Sequence, residues 1–175
     1  MILTGKAIAR AVEAGTVQIQ PFRPDQVNPN SYNFRLGKNL ICPALTSGDQ
    51  QEFIIPDHGL VLLPGIVYLG ATEELIGSRE YAMTLLGRSS LGRLGLFVNI
   101  TADLGHIGSC SHWTLELTVV QPLRIYPSML LGQVTFWAVQ GHVSPYRGRY
   151  SRQRTPKPCL DERLILPLEA EEMIR

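Results

Sequence analysis

Residues 87–117 read GRSSLGRLGLFVNITADLGHIGSCSHWTLEL, a glycine-rich polar turn flanked by apolar strands. At its far end, strict alternation from Trp113 to Thr118 marks a strand. Trp113, Leu115 and Leu117 fall on one face, and Thr114, Glu116 and Thr118 on the other. If the first face packs in the core, Glu116 is an ordinary surface carboxylate. If both faces are covered, as at a subunit interface, it is a half-buried acid in need of a partner. Periodicity leaves both readings open. At the near end, Arg88, Ser89 and Arg93 share the turn with Gly87, Gly92 and Gly95, which let backbone amides approach a ligand closely. Two arginines, two hydroxyls and free amides suit an anion; they equally suit a loop whose arginines form surface ion pairs.

Outward from this stretch the same period continues. Val17 and Ile19, then Tyr32, Phe34 and Leu36, alternate with polar residues. Further strands are predicted at 53–55, 60–63, 66–70, 96–100, 113–120 and 130–139, separated by Pro56, Gly59, Pro64-Gly65, Pro122, Pro127 and Gly141. Many short strands with turn signals between them predict a mainly β chain, a sandwich or distorted barrel. No βαβ alternation is visible, which disfavours a Rossmann-type sheet. Before the strands, Thr4 caps a short helix with Ala7, Ile8, Ala11 and Val12 on its apolar face, closed by Gly15.

The 175 residues suit one domain, 1–175, and a 45% hydrophobic composition allows a real core. A net charge of +1 sets up no whole-molecule attraction to nucleic acid or membrane. Of the 16 basic residues only Lys6, Lys38 and Lys157 are lysine. Arginine grips phosphate oxygens in pairs, although a GC-rich genome produces the same bias. Residues 144–159 carry Arg147, Arg149, Arg152, Arg154 and Lys157 with no acid. Residues 160–175 mix Leu and Ile with Glu169, Glu171 and Glu172, as a terminal helix would. Cys42, Cys110 and Cys159 form no CxxC pair and fit free thiols in a reducing compartment. No signal peptide and no membrane-length apolar run is visible, so a cytoplasmic location is expected.

Several chemistries are excluded. There is no GxxxxGK[ST] loop. Gly87-Arg88-Ser89-Ser90-Leu91-Gly92 places its second glycine one position too late for a nucleophile elbow. His58, His106, His112 and His142 lack helical zinc spacing, and the HxE…PCxxC signature of zinc deaminases is missing. His106 and His112 near Cys110 read as loop histidines. Asn99-Ile100-Thr101 matches a glycosylation sequon by chance, inside a predicted strand.

The chain resembles the dCTP deaminase family, a branch of the trimeric dUTPase-like superfamily. The resemblance is carried by MILTGKAIARAVEAG, IQPF, NSYNFRLG, GRSSLGRLGLFV, TLEL, YPSMLLGQVTF and YRGRYSRQRTP, in order over residues 1–157. It implies a distorted β-barrel or jelly-roll-like fold with a short N-terminal helix and a mobile C-terminal segment. It also implies a homotrimer with sites between subunits, and leaves open whether trimers pair into hexamers. The implied reaction is zinc-free deamination of a cytosine nucleotide at C4, dCTP to dUTP and ammonia by default, with Mg²⁺ accompanying the triphosphate. By resemblance, Glu116 is the catalytic acid/base, and Ser89 and Arg93 surround the reactive water. Arg88 binds phosphate; Ser90, Leu91, Gly92 and Ala102 lie beside the nucleotide; Thr114 and Leu115 line the base pocket through their backbone. Tyr146, Arg149 and Gln153 close over it, and the tail cations neutralise the triphosphate.

Two positions depart from the family. Where relatives carry an aspartate in a segment like IDPGF, this chain has His106 within Leu104-Gly105-His106-Ile107-Gly108. That aspartate contacts the deoxyribose and, in the dUTPase branch, activates water for phosphate cleavage. Its loss counts against pyrophosphohydrolase activity and leaves the sugar preference open, unless a register shift brings Asp103 into its place. Asn33 stands where the family has an acid, a change that concerns folding or assembly more than chemistry. The competing functions are a paralogue with another cytosine nucleotide, a dUTP/dCTP pyrophosphohydrolase, a non-enzymatic nucleotide-binding regulator, and a nucleic-acid arm in the tail.

Overall fold

Alternating apolar residues, rather than any long helix, organise the chain. The computed structural model describes residues 1–42, 51–148 and 150–159. The helix α1 (Gly5–Glu13) buries Ile8 and Ala11, as its spacing predicts, and ends just before Gly15 at φ +73°. Thr4 stands at its N-cap but makes no side-chain capping bond there; its carbonyl accepts the Ile8 N–H at 2.9 Å.

The strands are β1 (Val17–Gln20), β2 (Tyr32–Arg35), β3 (Asn39–Cys42), β4 (Gln51–Ile54), β5 (Leu60–Leu62), β6 (Tyr68–Ala71), β7 (Leu75–Ser78), β8 (Tyr81–Gly87), β9 (Leu96–Phe97), β10 (Leu104–Gly105), β11 (Cys110–Ser111), β12 (Thr114–Val119), β13 (Leu123–Ile125) and β14 (Leu130–Ala138). A four-residue helical turn, α2 (Ser89–Gly92), lies between β8 and β9. The strands pair antiparallel in the orders β1-β7-β11, β10-β8-β14-β2, β4-β3-β6-β12-β9 and β13-β5. This mainly β architecture is the predicted class. The strands β3, β7, β8, β10, β11 and β13 lie outside the predicted ones, and the predicted strand at 96–100 stops at Phe97.

Inward-facing side chains of these sheets form one core, including Tyr32, Phe34, Met83, Leu85, Leu115, Leu117 and Phe136. On β12, Leu115, Leu117 and Val119 are buried while Thr114, Glu116 and Thr118 are half-buried. The period-two reading therefore holds for this strand. Behind the core lies a buried polar network. Glu74, fully buried, accepts from Gln26 Nε2 at 2.9 Å and from the Arg35 N–H at 2.8 Å. Arg35 Nε in turn donates to Gln26 Oε1 at 2.7 Å. Burial pushes the Glu74 carboxyl above its ordinary range, partly opposed by these donors. Asn33 joins the neighbouring loop by accepting from Asn28 Nδ2 at 2.9 Å, a structural role in keeping with the folding part of its expectation.

The expected terminal helix in 160–175 lies outside the described residues. No helix among the described residues is long and apolar enough to cross a membrane.

Candidate active site

Glu116 is held by its strand and by one peptide unit of the neighbouring segment. Register places it opposite Leu69 on β6. Its N–H donates to the Val98 carbonyl at 3.0 Å, and its Oε2 accepts the Ile100 N–H at 2.9 Å. The side chain forms part of the wall of a cavity of about 720 Å³ that also takes in Ala102, His106, Trp113, Thr114, Tyr146 and Gln153. Mixed apolar walls with a few polar groups suit a small organic ligand. Glu116 is the one carboxylate among the lining residues.

Trp113 packs against the core, as expected, and also reaches the cavity. It lies one residue before β12 and lines the Glu116 cavity because Thr72 Oγ1 takes its N–H at 2.9 Å and the Ile76 carbonyl takes its indole N–H at 3.1 Å. The indole packs where a Cβ on Gly105 would be, 1.9 Å from the nearest ring carbon, so only glycine fits there. Leu115 contributes no side chain to the cavity; it is fully buried in the core.

The tail closes the other side. Gly108, at φ +90°, leaves no room for a Cβ beside Pro145, and the Ile107 carbonyl accepts the Tyr146 N–H at 2.7 Å. The Tyr146 ring then lies tilted on His106, with centroids 5.2 Å apart. Further on, Cys110 N–H donates to Ser151 O at 2.9 Å and His112 N–H to Gln153 O at 3.0 Å. Gln153 reaches Thr114, whose hydroxyl donates to Gln153 Oε1 at 3.1 Å, and that hydroxyl accepts the Lys157 N–H at 3.2 Å.

The five tail cations do not act as one group. Lys157 lines the Glu116 cavity, whereas Arg152 and Arg154 line a second one. Period-two alternation along the tail explains the split. Arg149 lies outside the described residues.

The Ser89 turn also stands apart. Arg88, Ser89 and Gly92 line an adjacent hollow of about 580 Å³ together with Asp103 and Gln133; this hollow meets the Glu116 cavity along Ile100 and Thr101. Asp103 lines this hollow, and His106 lines the Glu116 cavity. Arg93 and Ser90 are exposed, and Leu91 packs against the core. The turn's amides are less available than expected, since Arg88 O takes the N–H groups of Leu91 and Gly92, and Ser89 O that of Arg93. Within one chain, Ser89 and Arg93 thus do not share the cavity of Glu116.

Sequence reasoning missed Ile100 and Trp113 as lining residues. Ile100 carries no functional side-chain signal, because its contribution is a backbone N–H. Among the described residues no three His, Cys, Asp or Glu side chains lie together as a metal cluster. His112 Nδ1 lies 3.1 Å from the Thr72 carbonyl.

The family model described as dCTP deaminase-like matches residues 2–139. Similar proteins include "dCTP deaminase, dUMP-forming" of Clostridium botulinum, 40% identical over 167 residues covering 91% of this chain and 96% of the relative. The proteins of that name from Cytophaga hutchinsonii and Leptospira biflexa are each 39% identical, over 91% of this chain and 96% and 95% of theirs. Among solved structures, the 2'-deoxycytidine 5'-triphosphate deaminase of Agrobacterium tumefaciens superposes with a TM-score of 0.63 at 23% identity. That match takes in 77% of this chain and spans 47% of the length of the other, and it supports the fold alone.

Proposed function

Since the chain belongs to the dCTP deaminase-like family, we propose that it hydrolyses the C4 amino group of dCTP with Glu116 as the proton carrier. The observation that carries this reading is the geometry of Glu116. One carboxylate oxygen is fixed by the Ile100 N–H, and the carboxylate forms part of the wall of a half-apolar cavity large enough for a nucleotide base and sugar. The carboxylate takes a proton from water as its oxygen bonds to C4. It passes that proton to N3, then takes the second from the C4 hydroxyl of the tetrahedral intermediate and hands it to the amine, so the C4=O bond forms as the C4–N bond breaks and ammonia leaves. No zinc enters this scheme.

Ser89 and Arg93 stabilise the charge of the tetrahedral intermediate, and they reach it from a neighbouring subunit. Supporting this, the Ser89 hollow and the Glu116 cavity lie side by side, and Phe97, Ile100, Leu86 and Leu104 are exposed apolar residues around them. A homotrimer covers such a surface; pairing of trimers into hexamers is a further step of the same kind. The substrate is the Mg²⁺ nucleotide, with the metal carried on the triphosphate oxygens, because the single lining carboxylate is too few for a protein-held divalent site. Arg88 binds phosphate from the same neighbouring turn. Tyr146, Gln153 and the mobile segment that carries them close over the base and exclude water. This is the work of a cytoplasmic nucleotide-pool enzyme.

The names of the relatives give dUMP as their product, whereas the sequence reading expects dUTP. We assign dUMP on the strength of those relatives; His106 in the aspartate's place supports dUTP as a second reading. Incubation with dCTP, scoring ammonia and pyrophosphate separately, tests both. Equal amounts of the two mean dUMP, ammonia alone means dUTP, and no ammonia from any of dCTP, CTP, dCMP or CMP sinks the proposal.

A further inference from the structure

The reverse face of the tail has no role in the reaction just described, yet it is the more cationic face. Residues 151–153 run parallel to β11, bonded through Cys110 N–H to Ser151 O and His112 N–H to Gln153 O. They thereby lie against β11 at the edge of the β1-β7-β11 sheet. Successive side chains on such a segment face opposite ways. Gln153 enters the Glu116 cavity, and Arg152 and Arg154 line a second cavity of about 630 Å³ whose floor is Cys110, Gln18 and Ser78 and whose far rim is Arg79. No acidic side chain lines it. Among the described residues the ion pair is Arg23 with Glu73, so these three guanidiniums stand without a carboxylate partner. All three line this one cavity; burial pushes the Cys110 thiol up, and the charges of Arg154, Arg152 and Arg79 partly oppose it. The thiol itself is occupied, donating to Gln18 Oε1 at 2.8 Å.

Three like charges gathered in a concavity repel one another unless an anion joins them, and planar guanidiniums favour phosphate oxygens. We propose that the cavity bounded by Arg79, Arg152 and Arg154 binds an oligophosphate and thereby pins the tail over the Glu116 cavity. Arg79 belongs to the body of the domain, at the end of β7, while Arg152 and Arg154 belong to the tail. An anion between them is a clamp joining the two. The effect on closure rests on the function proposed above; the binding does not.

Titrating the full chain with inorganic tripolyphosphate, at ionic strength held constant with KCl, tests the binding. Arg79→Gln and, separately, Arg152→Gln should weaken it roughly tenfold or more, while Arg124→Gln, an exposed arginine that lines neither this cavity nor the Glu116 and Ser89 sites, should leave it intact. Arg79 and Arg152 are exposed as well, so the variants should unfold at the wild-type temperature. Binding that survives Arg79→Gln and Arg152→Gln, or that is lost in Arg124→Gln alone, overturns the site. A parallel titration with dUTP identifies the source. Affinity equal to that of tripolyphosphate means a free polyphosphate suffices, and tighter binding dependent on Arg79 means the nucleoside adds contacts.

The clamp has its own readout in chymotrypsin cleavage after Tyr150, an exposed tail residue. Tripolyphosphate should slow that cleavage several-fold in the wild type and not in Arg79→Gln; unchanged cleavage in the wild type rejects the clamp. Neither measurement uses deamination, so failure here leaves Glu116 untouched, and an active Glu116→Gln variant would leave this site untouched.

Discussion

Two carboxylates, Glu74 and Glu116, show how the same side chain becomes structure in one place and chemistry in another. Glu74 is fully buried, and each of its oxygens has a donor, Gln26 Nε2 and the Arg35 N–H. Glu116 is half-buried; one oxygen holds the Ile100 N–H and the group borders an open cavity. A satisfied buried acid fixes a neighbourhood. An acid with spare lone pairs in a partly dry cavity exchanges protons with whatever enters.

The comparison breaks most sharply at Glu116. Glu116→Gln should lower the deamination rate by about 10²–10⁴, with nucleotide binding and thermal unfolding close to wild type; full activity would place both carboxylates in the structural class. Mixing this inactive variant with an inactive Arg93→Ala variant comes next. If the site is shared between subunits, co-refolded mixtures should regain activity that neither shows alone, and a mixture as dead as its parts would confine the site to one chain. Glu74→Gln should do the reverse of Glu116→Gln: stability falls by about 1–3 kcal/mol as the donor pattern is broken, while activity per folded molecule stays.

The pH dependence sharpens the contrast further. Glu74 binds its proton more tightly in the folded chain than in the unfolded one. Its contribution is therefore fully present below the ordinary carboxylate range and is lost as pH rises through the raised folded value. Denaturant melts of wild type and Glu74→Gln should accordingly converge as pH rises through that window; a gap that widens would contradict the burial argument. A loss of stability comparable to that of Glu74→Gln is expected at Gly105→Ala, where the added methyl must displace the Trp113 ring. Overpacking of this kind costs about 1–3 kcal/mol, and here part of it should appear as a raised KM because the ring also lines the cavity.

How much of this could be read beforehand follows from what alternation encodes. The strand around Glu116 was legible because Leu115 and Leu117 alternate with polar residues on a sheet covered on one side. The strand β7, Leu75–Ser78, was not. Its Gly77 is buried against Cys110, with a Cβ site only 2.5 Å from that side chain, so close packing across strands, and not its own pattern, makes it a strand. The Glu116 and Ser89 motifs were legible as residue types, but their separation was not, since spacing along a chain carries no information about which face of a barrel each turn meets. The division of the tail cations between two cavities depends on a parallel pairing with β11 that no local signal announces.

The peptide unit of Ile100 has a consequence of another kind. Its N–H fixes the Glu116 carboxylate, while its side chain is 52% exposed on the ridge between the cavity and the hollow. Whatever presses on that side chain also positions the acid. On the proposed subunit-shared site, the enzyme's competence would be tied to its own concentration: diluted until subunits part, the chain should lose turnover before it loses its fold.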